Sequence, residues 1–296
     1  SIYLLEDTNK IKGGDTIILT GERYVMTGDY ARIMSYISGE YNKYITIKSE
    51  TSKNVVLDFY NAVFESTNRG VSLNGNYIYW HGIDICGAGD NGMYIGGSYN
   101  IIENSQFYNN RDSGLQLGRG SGNYTNIKEW PSFNYIRDCT SFNNYDNETY
   151  GENADGFAAK LTIGYGNVFD GCIAYRNSDD GWDLYAKTDS GNIGTVIIFN
   201  CVAFENGFLL ENQETCNARF KSFDKSLFGE KDSNGNSKEY SFNTRDGDGN
   251  GFKLGGSIME GDTYIYNSMA FNNKMHGITD NSNPGTIYTE QCTSVD

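Results

Sequence analysis

A motif that recurs along most of the chain constrains the fold more than any other feature. Each copy runs through alternating apolar residues, a small residue, an aromatic residue and an Asn-rich turn, and ends on a glycine followed by a strand. Clear copies are 100–117 (NIIENSQFYNNRDSGLQL), the segment from Asn134 (NYIRDCTSFNN…ADGFA) and the segment from Asn167 (NVFDGCIAYRNSDDGWDL). Others start near Val196 (VIIFNCVAFEN…GNGFKL) and at Tyr264 (YIYNSMAFNNKMHGIT), and a looser one spans 76–95. Copies spaced by roughly 24 to 34 residues suit one coil of a solenoid with three short strands per turn. The expected fold is all-β, a right-handed parallel β-helix of about eight to ten coils. It forms a single domain over 1–296.

Composition agrees with many short strands and tight turns. There are 36 Gly, 23 Tyr and 16 Phe but only 2 Pro, and no stretch carries the apolar spacing of a long amphipathic helix. The first coils are expected at KGGDTIIL (12–19), YITIKSE (44–50) and NVVLDF (54–59). The last coil is expected to be cut partway, because the chain stops at Asp296. The start at Ser1 without a signal-like segment suggests a mature or trimmed chain. No apolar run is long enough to span a membrane. A net charge of -15 leaves no basic stripe for phosphates, so no nucleic-acid partner is expected. The same charge repels an acidic polymer at long range. Such a substrate must be held locally, by a few Lys or Arg or through a bridging cation.

Alignment on the motif glycine superposes Gly92, Gly114, Gly156, Gly181, Gly251 and Gly277. Two positions later stand Tyr94, Gln116, Ala158, Asp183, Lys253 and Thr279, a column whose polar members are expected to face outward. Asp183 and Lys253 then lie one strand spacing apart, about 4.8 Å. Asp155 and Asp180 directly precede their glycines, and Asp179 precedes Asp180. The carboxylates of Asp155, Asp179, Asp180 and Asp183 therefore converge on one patch, where mutual repulsion would raise their pKa values. A hard cation removes that conflict, and an all-oxygen cluster suits calcium. By alternation Trp182 should point into the core. Cys139, Cys172 and Cys201 stack with Ser105 and Ser268 as a buried column and are expected to stay free thiols. The six cysteines form no zinc pattern, and His81 and His276 are assigned to structure.

The segments NADGFAAKL (153–161), NSDDGWDLY (177–185) and GNGFKLGG (249–256) together resemble polysaccharide lyase family nine. Its members are parallel β-helix pectate lyases and rhamnogalacturonan lyases. The resemblance runs from KGGDTIIL to the last coil. It implies that Asp155, Asp179, Asp180 and Asp183 bind the primary Ca2+ and that Lys253 abstracts a proton. The implied reaction is β-elimination on a galacturonate polymer such as pectate or rhamnogalacturonan, with the uronate carboxylate on the calcium. A free lysine has a pKa of about 10.4. A neighbouring cation lowers it, so an alkaline optimum and calcium dependence are expected.

Two excursions interrupt the repeat at the same turn, a long one at 207–249 and a shorter one around 145–152. They flank the expected site and are placed to shape a groove. Lys160, Arg176, Lys187 and Tyr185 are candidate substrate contacts on that face. A polymeric plant-type substrate implies a secreted protein, expected as a monomer. Two rival readings remain open. One is a glycosidase using paired carboxylates, although its Asn-Thr-Asp, His-Gly and Arg-Ile-Lys signatures are missing. The other is a β-helix that binds polysaccharide without cleaving it.

Overall fold

The computed structural model describes residues 2–28, 31–50, 52–60, 62–146, 151–207 and 247–295. Cys216 and most of both excursions lie outside them. The strands form three parallel sheets of nine, nine and eight strands, each pairing only with its counterparts in the coils above and below. This is the right-handed parallel β-helix read from the repeat, with nine coils among the described residues. The fifth coil comprises Tyr135–Arg137, Thr140–Phe142 and Phe157–Ala159. The sixth comprises Asn167–Asp170, Ile173–Tyr175 and Trp182–Asp183, and the seventh Val196–Phe199, Val202–Phe204 and Phe252–Lys253. These three coils carry the candidate site.

Inward side chains stack in columns. In the first sheet Ile47, Trp80, Ile102, Ile136, Phe169, Ile198 and Ile265 follow one another in register, and all are buried. The third sheet places Phe157, Trp182 and Phe252 in one column, with ring centroids 5.0 and 4.8 Å apart. Small residues in the second sheet, Ser141, Ala174, Ala203 and Ala270, leave room for these rings. Large against small is how a thin core reaches native packing density.

Two further stacks fix the turns between the second and third sheets. One is a buried ladder of Asn110, Asn144, Asn177, Asn206 and Asn273. Each Nδ2 donates to the Oδ1 of the next, at 2.8 to 3.0 Å. The other is the glycine column, in which a Cβ on Gly181 would lie 2.6 Å from the carbonyl oxygen of Gly251. Immediately before each ladder asparagine the backbone bends through a left-handed residue: Asn109, Asn143, Arg176, Glu205 and Asn272. The thiols of Cys139 and Cys172 reach carbonyl oxygens of the preceding coil, and both are free, as is Cys201.

Asn177 both accepts from Asn144 and donates to Asn206 within the buried ladder. Asn177→Ala should therefore remove the shortest bond of the Asn144 amide and one donor to Asn206, and leave a buried gap, lowering stability by about 1–3 kcal/mol in a urea unfolding titration. A loss within experimental error would show that the ladder is not what pins the coils.

Candidate active site

The outward column expected from the glycine alignment is present residue for residue. Tyr94 pairs with Gln116, Gln116 with Ala158, Ala158 with Asp183, Asp183 with Lys253 and Lys253 with Thr279. Trp182 is fully buried, as alternation requires. From Gln116 onward each turn that leads to this column starts at a ladder asparagine and ends at a motif glycine, so both ends of the acidic segment are pinned.

The four aspartates are buried, from 0% exposed for Asp155 and Asp180 to 4% for Asp179. Carboxylate oxygens of Asp155, Asp179 and Asp180 all lie within 4.8 Å of one another. Asp179 links the turns on either side: its Oδ2 accepts from the Asn153 amide at 3.0 Å and its Oδ1 from the Asp248 amide at 2.7 Å. Those two residues stand where the short and long excursions rejoin the helix. The Oδ1 of Asp180 accepts from the backbone and side chain of Asn250, while its buried Oδ2 accepts no hydrogen bond. Asp155 accepts from Ser113 Oγ and from the amide of Asp180.

Two lysines enter the cluster. Lys253 Nζ lies 3.1 Å from Asp180 and 3.1 Å from the exposed Asp248, with the Tyr185 ring centroid 5.8 Å away. Burial disfavours its ammonium form, but the surrounding Asp183, Asp180, Asp179 and Asp155 outweigh burial and raise its pKa. Lys160 differs from expectation. Placed by sequence among the substrate contacts, it is instead buried, with Nζ 2.7 Å from Asp155 and 3.1 Å from Asp183. Burial pushes the Asp180 carboxyl up and Asp179 adds to it, against the pull of Lys253.

The remaining candidates separate. Tyr185 flanks Lys253, its hydroxyl sharing a hydrogen bond of 2.7 Å with Ser257 Oγ. Arg176 is not brought to the carboxylates; it occupies the same turn position as Glu205 one coil on and is held by it at 2.6 Å. Lys187 is exposed and lines a groove with Tyr94 and Gln116. Sequence reading missed Asp248, Asn250, Asn153 and Ser113 as partners of the cluster. Their only signal was position, immediately before a motif glycine or at the close of an excursion.

The donor set fits a hard divalent cation. The four aspartates and two lysines leave two negative charges uncompensated in a buried space. The oxygens are all carboxylate, and the buried Oδ2 of Asp180 takes no hydrogen bond in good geometry, only the Lys253 ammonium 3.1 Å away. Such a set suits calcium. Two outcomes should follow. Lys160→Met should destabilise the protein in chelator by about 3–5 kcal/mol, because it leaves buried carboxylates unpaired. Added calcium should recover much of that loss in a thermal melt. Calorimetric titration should also show that Asp180→Asn weakens calcium binding at least about tenfold; unchanged affinity would remove Asp180 from the ligand set.

The profile described as "Pel9A-like, right handed beta helix region" matches residues 2–221 and 231–296. Pectate lyase L of Paenibacillus polymyxa is 45% identical over 287 residues, which cover 97% of this chain and 57% of that protein. The chain thus spans little more than half the length of that relative. Among solved structures, pectate lyase Pel9A superposes with a TM-score of 0.74 at 29% identity, covering 95% of this chain and 61% of that one. A rhamnogalacturonan lyase superposes with a TM-score of 0.68 at 25% identity, over 94% of this chain and 65% of that one. Because that profile matches nearly the whole chain, the chain belongs to the Pel9A-like family of right-handed β-helix proteins.

Proposed function

We propose that this protein is a polysaccharide lyase that cleaves a galacturonate-containing polymer, pectate first of all, by β-elimination. The observation that carries this reading is Lys253, whose Nζ stands at the rim of the buried aspartates, 3.1 Å from Asp180. An amine at the open edge of a divalent-cation site is what proton abstraction next to a carboxylate requires. Lys160, the other amine of the cluster, is buried between Asp155 and Asp183. The names of the relatives support the substrate class: pectate lyase L at 45% identity, and a rhamnogalacturonan lyase among the solved structures.

Asp155, Asp179, Asp180 and Asp183 would hold calcium, which when bound supplies a Lewis acid for the negative charge that develops on a uronate. Lys253 takes the C5 proton onto Nζ. The pair from the C5–H bond becomes the C4–C5 double bond, and the C4–O4 bond breaks with its pair on oxygen. The departing oxygen takes a proton from solvent, and no water is added to the sugar. Lys160 stays fixed between Asp155 and Asp183 and keeps both carboxylates oriented. Tyr185 keeps Lys253 company on the open side and offers a ring face to a sugar. An extracellular polymer as substrate makes the protein a secreted one.

Ultraviolet absorbance during incubation with polygalacturonate should rise with calcium and stay flat with a chelator. The same assay on rhamnogalacturonan ranks the two substrates. Lys253→Ala should lower turnover by about 10²–10⁴-fold. New reducing ends without absorbance would overturn the elimination in favour of hydrolysis.

The carboxylates hold the Lys253 proton in place, raising its pKa, and the lysine must be neutral to act. Turnover is therefore expected to climb with pH through the alkaline range, and a rate maximum in acid would argue against Lys253 as the base.

A further inference from the structure

Beside the aspartate cluster the third sheet opens into a groove of about 530 Å³, within the size range of ligand sites. We propose that this groove is a second uronate-binding subsite, in which Arg69, Arg119 and Lys187 receive carboxylates of the same polymer chain that is cleaved at Lys253. The subsite rests on the polyuronate reading of the cluster.

Charge is the first argument. The chain carries 38 acidic against 23 basic residues, yet the groove is lined by three cations and one acid, Asp189. An acidic protein that binds a polyanion needs such a local reversal, because its long-range field repels the ligand.

Position is the second. The floor is Tyr94 and Gln116, which stand in the same outward column as Asp183 and Lys253. Tyr94 lies three strand spacings from Asp183, roughly 14 Å. A polymer laid along the column with its reacting unit at Lys253 therefore passes over the groove. The wall is continuous too: the Leu161 amide, which lines the groove, donates to the carbonyl of Tyr185 beside Lys253.

Preorganisation is the third. The Arg69 guanidinium lies flat over Tyr94, 3.5 Å from the ring centroid, with Nε 3.3 Å from Asp90. Burial and the neighbouring Asp112 push the Asp90 carboxyl up to about 8, against the pull of Arg69. The segment bearing Arg119 is tied down at both backbone groups. Its amide donates to Thr162 Oγ1 at 3.0 Å, and its carbonyl accepts from the Tyr94 hydroxyl at 3.2 Å. Among the described residues neither Arg119 nor Lys187 forms an ion pair. A planar guanidinium matches a carboxylate in two parallel hydrogen bonds, a geometry a methyl ester cannot return.

The test is calorimetric binding of hexagalacturonate, and of its methyl ester, to Lys253→Ala protein with calcium, so that no turnover intervenes. The comparison protein adds Arg119→Ala and Lys187→Ala, both on the surface and checked by thermal melting. Affinity for the acidic oligomer should fall about tenfold or more, with little change for the ester. Equal affinities in the two proteins, or no affinity for the acid in either, would overturn the subsite. Absorbance from the wild type is scored separately. A tenfold loss of binding without any elimination by the wild type would leave the subsite standing and remove the lyase reading. Elimination with unaltered binding in the variant would do the reverse.

Discussion

The asparagine ladder is the interaction on which the rest of the site depends. A parallel β-helix closes its backbone hydrogen bonds between coils, and its turns can add a ladder of side-chain hydrogen bonds to them. Here the amides of Asn144, Asn177 and Asn206 supply one, side chain to side chain, in a dry environment where each bond is strong and each lost partner is costly. The glycine column completes the clamp a few residues later, because backbone approach that close leaves no room for a Cβ. Whatever lies between an asparagine and its glycine is held at both ends. Asp179 and Asp180 lie between Asn177 and Gly181, and so their carboxylates are aimed with little freedom.

That rigidity makes tolerable what would otherwise be a poor arrangement. Four carboxylates in a buried space repel one another and are badly solvated. Lys160 acts as an internal counter-ion, tied to Asp155 and Asp183, whereas Lys253 stands at the edge with its stem partly open. The two lysines thus divide one electrostatic task. The buried one compensates permanently; the one at the rim is open to whatever enters the site. Sites that keep such unfavourable charge are expected to be functional, since a stable core of the same volume would be apolar.

Much of this was legible in sequence because a solenoid turns linear spacing into vertical stacking. Aligning Gly92, Gly114, Gly156, Gly181, Gly251 and Gly277 was enough to align Tyr94 through Thr279, and the register agrees at every pairing. Lys160 was misplaced because it follows the strand end at Ala159, where alternation no longer says which way a side chain points. Arg176 was misread because a turn position stacks as faithfully as a strand position, which sets it against Glu205. Arg69 went unseen because the glycine alignment began at Gly92 and stopped one coil short of Gly70, which Arg69 directly precedes, whereas Arg119 lies in a turn outside the aligned columns.

The meeting of Gly207 and Gly249 has a consequence for how such a molecule can change over generations. A Cβ built on Gly207 would lie 2.8 Å from the Cα of Gly249, so the chain leaves the seventh coil and rejoins it at nearly one point. Ends that close make the coil indifferent to how many residues intervene, and the entropic cost of lengthening a closed loop rises only slowly. Segments can be lost, gained or exchanged there without shifting Phe252 and Lys253 from their partners below. Selection can therefore rewrite the rim beside Lys253 while the floor of aspartates is inherited unchanged, and, on the lyase reading, relatives are free to diverge in the polymers they accept.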